Sequence, residues 1–159
     1  MAIKPTRDII PFFDQAVVDI FEQMLSKKIS KVGNFLDKSV MTPFYISSMM
    51  GFSGALNGNT AISFTKAHSR EVVSLLLNEE VGADNESVIE DGAGEMINMV
   101  AGQAKSLLVP KIDIDISLPM VISGTGHQIC VKAETPQIFM LYNCDKTVFC
   151  LQLAFKIKH

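Results

Sequence analysis

The hydrophobic period of this chain changes along its length, and the order of the changes limits what it can build. Residues 9–28 carry apolar side chains at helical spacing: Ile9, Phe13, Val17, Ile20 and Met24, with Phe12, Ala16, Phe21 and Leu25 widening the stripe. Apolar residues recurring every three or four positions line one face of a helix. Pro11 is expected in its first turn, because a proline further in removes a backbone donor and crowds the preceding turn. Residues 43–66 then read as extended segments, with Phe44-Tyr45-Ile46 and Met49-Met50 before Asn57-Gly58-Asn59 and Ala61–Thr65 after it. An Asn-Gly step between strands predicts a hairpin turn, since a type I′ turn needs positive φ at both central residues. A second helix is predicted at about 68–79 and a polar, glycine-containing loop over 81–87. A third helix follows at about 87–108, with Asn85 or Ser87 as its cap and Pro110 beyond its end. The period is then two: Ile112, Ile114, Ile116 and Leu118 alternate with Asp113, Asp115 and Ser117, the pattern of a half-buried strand. Gly124-Thr125-Gly126 is expected to turn the chain into a strand over Gln128–Ala133. Phe139–Tyr142 and Val148–Phe155 are expected to form a last hairpin across Asn143–Lys146.

The element order is therefore helix, strands, helix, helix, strands, and each half reads as one helix followed by a hairpin. Helices with one apolar stripe and strands with one apolar face bury both by packing against each other. The expected fold is α+β, an α/β sandwich with long helices on an antiparallel-rich sheet. At 159 residues the chain suits one domain, residues 1–159. A hydrophobic fraction of 48% against 19% charged excludes a disordered chain. The net charge of -3, with no basic cluster denser than Lys27, Lys28 and Lys31, argues against a nucleic-acid binder. No signal peptide or membrane-spanning run is read, so a cytoplasmic protein is expected. Cys130, Cys144 and Cys150 are odd in number and form no close ligand pair; they read as small buried hydrophobes, with no metal site.

The third helix carries the most information. Ile89, Ala93, Met96, Val100, Ala104 and Leu107 fall on one side of it. Asp91, Glu95, Asn98, Gly102 and Lys105 step by four and three and form one narrow polar line on the other. Asn98 follows Glu95 by three, so the two side chains are neighbours. Gly92, Gly94 and Gly102 each cost about 0.8–1 kcal/mol relative to alanine inside a helix. Gly102, on the polar line, would let another surface approach closely. Alternatively, Gly92 and Gly94 belong to the preceding loop, Gly102 packs on a neighbouring strand, and the polar line is an ordinary solvated helix face.

The stretch Asp91-Gly-Ala-Gly-Glu95-Met-Ile-Asn98-Met-Val-Ala-Gly resembles the signature helix of the CheC/CheX/FliY chemotaxis phosphatases. That signature is Asp or Ser, three residues, Glu, two residues, Asn, and a Pro some twenty residues later; Pro119 takes the last position. Pro11-Phe12, Ser117–Gly126 and Phe149–Lys156 also resemble segments of the family, so the likeness spans nearly the whole chain. Members carry one such helix motif or two. Here the opening helix offers only Glu22, with Leu25 where an Asn would stand, which is the one-site, CheX-like arrangement.

The resemblance implies a pseudo-symmetric CheC/CheX-like domain that hydrolyses the aspartyl phosphate of a CheY-like receiver. It implies no cofactor on this chain, with Mg²⁺ and a Lys supplied by the phosphorylated receiver. Glu95 would dock on that Lys. Asn98 would position the attacking water, since an amide offers an acceptor and donors without repelling the phosphate. Asp91, at the motif's first position, would have a supporting role on the partner side; Gly102 and Lys105 lie on the same partner-facing line, an ordinary solvated lysine being the other reading of Lys105; and relatives of this type imply a homodimer formed through the sheets. Two other readings stand beside it. One is a non-catalytic module that binds a receiver or a flagellar-switch component through the same helix. The other is an enzyme with its own nucleophile, using His68 or His127 as base, although both histidines read as solvated loop-edge residues and Ser53 lacks a nucleophile-elbow context.

Overall fold

The computed structural model describes residues 5–41, 43–132 and 134–157. The opening helix, α1, spans Pro5–Leu25. It begins earlier than expected, at a proline suited to a first helical position. Pro11 consequently lies in the helix interior, not in the first turn. The helix stops at Leu25 rather than residue 28 because Ser26 turns left-handed, with φ 54°.

A 6-residue strand that the hydrophobic pattern does not announce, β1 (Ser30–Phe35), follows. Its residues are mostly exposed and include Gly33, so it has no period-two signal. A 3-10 turn at Lys38–Met41 leads to β2 (Ile46–Gly54) and β3 (Leu56–Phe64). The β2–β3 reversal falls at Gly54, with φ 106°, and Ala55, not at Asn57-Gly58-Asn59. Gly58 instead pairs with Phe52 on one side and Phe155 on the other. A Cβ there would sit 1.9 Å from the Ala154 carbonyl oxygen. This glycine serves close backbone approach inside the sheet rather than a turn.

Helix α2 (Lys66–Leu77) is capped by Thr65, whose side chain accepts from the His68 amide, and ends at left-handed Asn78. Helix α3 spans Glu86–Leu108 and contains all three glycines of the motif region. After it come β4 (Ile114–Ile116) and β5 (Met120–Ser123), both paired with β2. The strand expected over Gln128–Ala133 is absent from 128–132, which are irregular; Ala133 lies outside the described residues. Strands β6 (Gln137–Cys144) and β7 (Thr147–Ile157) form the last hairpin. Asp145 and Lys146 make its turn with φ 47° and 69°, the positive pair a type I′ turn requires.

The sheet order is β1-β6-β7-β3-β2-β4, with β5 also on β2 and every pairing antiparallel. The α1-β1-β2-β3 half and the α3-β4-β5-β6-β7 half meet at the central β3·β7 pair. Each half lends what opens its strand run to the other: β1 pairs with β6, and the two short strands β4 and β5 pair with β2. The expected pseudo-symmetry is present, and the exchange makes the two halves one domain. The helices cover one face of the sheet, where Phe13, Phe52, Phe149 and Phe155 join Met96, Ile97 and Val100 in the main core. A smaller cluster of Met41, Phe44, Phe139 and Cys150 covers part of the other face. Among the described residues no helix is long and apolar enough to cross a membrane.

Candidate functional site on the third helix

Helix α3 is held against α2 and the sheet by removal of side chains as much as by their presence. A Cβ on Gly92 would lie 2.5 Å from a Val73 methyl of α2, and one on Gly94 would lie 3.3 Å from a methyl of Val121 on β5. Between them, the buried Ser48 hydroxyl of β2 donates to the Ala93 carbonyl at 2.7 Å. The two glycines are therefore helical and packed, and the reading that put them in a loop is excluded. Their helix-propensity cost of roughly 2 kcal/mol together is offset by that close packing.

This stretch fixes the outward face. Asp91, Glu95 and Asn98 are all exposed, and Gly102 and Lys105 are half-buried along the same line. Among the described residues, the side chains of Asp91, Glu95, Asn98 and Lys105 make no hydrogen bond or ion pair within the chain. Gly102 has nothing within 4 Å of where a Cβ would be, so it does not pack on a strand. Beside the line, Asp91, Glu95 and Gly94 share a shallow concavity with Glu90, Pro119 and Val121. Pro119, distant in sequence, is thus brought beside the first two polar residues of the motif. Glu90 and Val121 have no distinguishing signal in the sequence, because their role depends on where β5 crosses the helix.

The counterpart helix α1 offers no second site. Glu22 is exposed, but Leu25 is 4% exposed and belongs to the core.

The other candidate residues do not gather. His68 is not at a solvated edge: it is 3% exposed, packed edge-on to Phe64, with burial pulling its imidazole below the ordinary value. His127 is half-buried. Its Nδ1 lies 2.8 Å from the Gly124 carbonyl, which can only accept, so Nδ1 carries the proton. Its Nε2 meets the Ser47 hydroxyl at 2.7 Å, and Ser47 also meets Ser63 at 2.6 Å. Ser47 is 1% exposed, so this serine–histidine contact ties the segment after β5 to the sheet and offers no nucleophile to substrate. Cys144 and Cys150 are buried as expected, and burial pushes Cys150 up to about 12. Cys130 is exposed, contrary to expectation, because the segment holding it is not a strand. In the basic cluster, Lys27 and Lys31 are paired with Asp145 and Asp14.

A sheet assembled from two strand-exchanging halves with helices on one face has structural counterparts. A CheC-like superfamily protein from Shewanella sp. PV-4 matches with a TM-score of 0.83 and 26% identity, over 98% of this chain and 99% of that one. The chemotaxis protein CheX from Vibrio vulnificus matches at 0.83 and 27%, over 94% and 99%. The CheX–CheY–BeF3–Mg²⁺ complex from Borrelia burgdorferi matches at 0.80 and 23%, over 94% and 98%. A comparison with curated proteins gives no match. The sequence profile of the chemotaxis phosphatase CheX family matches residues 46–143. The chain belongs to the chemotaxis phosphatase CheX family.

Proposed function

We propose that this protein hydrolyses the aspartyl phosphate of a CheY-like receiver, with Glu95 docking the receiver and Asn98 positioning the water. The observation that carries the reading is the exposed, unpartnered Glu95/Asn98 pair, one turn apart on a helix anchored along its other side. Its setting in a chemotaxis phosphatase family, and the existence of a CheX–CheY complex in a relative, support a receiver as partner.

The chemistry asks little of this chain. The receiver brings Mg²⁺ and a Lys around its own phosphate, so positioning is what remains to be supplied. The Asn98 carbonyl oxygen accepts from a water while its amide donates toward a phosphoryl oxygen. That water attacks phosphorus, the bond from phosphorus to the receiver's aspartyl oxygen breaks, and the carboxylate leaves. The surplus proton passes to solvent or to the phosphate released. Glu95 pairs with the receiver's Lys in a contact shielded from water, stronger than an exposed pair. Asp91, Gly102 and Lys105 lie along the partner-facing line. A homodimer belongs to this proposal, supported by the exposed outer strand β1 with Val32 and Phe35 uncovered and Leu36 just beyond it. A cytoplasmic location belongs to it as well, since receivers are found there.

The test is the decay of a phosphorylated CheY-like receiver with substoichiometric amounts of this protein. Accelerated decay with turnover supports the phosphatase. Binding to the receiver without acceleration means a module that only docks, and overturns the catalytic reading.

A further inference from the structure

The alternation Ile112, Ile114, Ile116, Leu118 would send Leu118 toward the sheet's interior if the strand ran on. It does not: β4 ends at Ile116, and Leu118 is 89% exposed, the most exposed of the large hydrophobic residues described. Two residues later Met120 is 61% exposed, and Pro119 lies between them. A large apolar side chain facing water where the fold gains nothing from it breaks a local rule, and such breaks concentrate at functional sites.

The knuckle formed by Leu118, Pro119 and Met120 is fixed rather than frayed. Before it, the Ser117 amide donates to the Gly51 carbonyl at 2.9 Å, and the Ser117 hydroxyl accepts from the Gly51 amide at 2.8 Å. After it, Met120 pairs with Met49 and Val121 with Ser48 on β2. Proline fixes its own φ and restrains the leucine before it. Two apolar side chains are thus presented on a braced turn at little entropic cost on binding. The knuckle also adjoins the candidate site: Pro119 and Val121 line the same concavity as Asp91 and Glu95.

We infer that Leu118 and Met120 form the apolar anchor onto which the receiver docks, beside the polar line that would meet its phosphorylated site. This deepens the proposed function and rests on it. The polar line alone gives a thin, charge-dependent contact. A few desolvated residues supply most of the binding energy at a protein interface, and the fully buried part of an interface is its more apolar part, with methionine among the residues enriched there. Leu118 and Met120 touch no reacting group, so they set affinity while Glu95 and Asn98 set register and rate.

The experiment is steady-state hydrolysis of the phosphorylated receiver by wild type, Leu118→Ser/Met120→Ser, Asn98→Ala and the control Val148→Ser, with circular dichroism and sedimentation on each. The double variant is expected to need at least tenfold more receiver for half-maximal rate, with kcat within about twofold of wild type and unchanged fold and mass. Val148→Ser is expected to match wild type, and Asn98→Ala to lose kcat at unchanged half-saturation. An active wild type with no change of half-saturation in the double variant overturns the anchor and leaves the Glu95/Asn98 reading standing. Lost kcat at normal half-saturation, or a halved mass, overturns it in favour of a local geometric role or a self-interface. A wild type that does not accelerate decay overturns both.

Discussion

Gly92 and Gly102 lie on the same helix and do opposite things. Gly92 is a space the Val73 methyls fill, whereas Gly102 faces open space. Gly92→Ala adds a methyl where overpacking costs about 1–3 kcal/mol, against a helix gain of about 1. Its expected outcome is a net loss of up to about 2 kcal/mol in urea unfolding, relieved in Gly92→Ala/Val73→Ala. Gly102→Ala should instead gain about 0.5–1 kcal/mol. If the partner packs on the polar line, the same variant should raise the half-saturating receiver concentration several-fold; better stability with unchanged affinity would remove Gly102 from the interface. His68 sets a pH effect. Burial lowers its folded-state pKa below the unfolded 6.5, so the unfolded chain binds the proton first. Stability is therefore full above about 6.5 and falls as pH drops through that value, by at most about 1.4 kcal/mol per pH unit. In His68→Phe the stability loss between pH 7.5 and 5.5 should shrink; an unchanged profile would assign it to other groups.

At the scale of elements, Gly58 shows how one dipeptide can mislead. Asn57-Gly58 has the composition of a hairpin turn, yet it lies inside β3, near its start, where β7 passes too close for any Cβ. Gly58→Ala should cost about 3 kcal/mol or more by parting β3 from β7, read as a drop in denaturation midpoint. Thr65→Ala should cost about 1 kcal/mol through loss of the α2 cap. What the sequence makes legible follows from which elements carry a periodic face. The helices, with one apolar stripe each, are readable to within a few residues, as is the β6–β7 hairpin. Strand β1, exposed on both faces at the sheet edge, has no period to read, and 128–132 has the composition of a strand without a neighbour to pair with. On α3 the polar line is readable from spacing because a helix fixes which residues align. The concavity beside it is not, since Pro119 and Val121 arrive through β5's pairing with β2.

At the scale of the whole molecule, the exchange of first strands between two similar halves gives one sheet, one core and two candidate helices, of which only α3 keeps the polar pair. Leu25 occupies the counterpart position on α1 as a core residue. A second site therefore cannot be restored by Leu25→Asn without burying an unpartnered amide, a change expected to cost about 2–4 kcal/mol. The proposed function rests on one line of α3, and the water-positioning role proposed for Asn98 is its most exposed point. The direct measurement is the decay of a phosphorylated CheY-like receiver with wild type and with Asn98→Ala, alongside the melting temperature of each. The account predicts accelerated decay with wild type, a fall of about 10²-fold or more in Asn98→Ala, as for loss of a transition-state donor, and an unchanged melt. Near-normal decay with Asn98→Ala would contradict it and remove Asn98 from the chemistry.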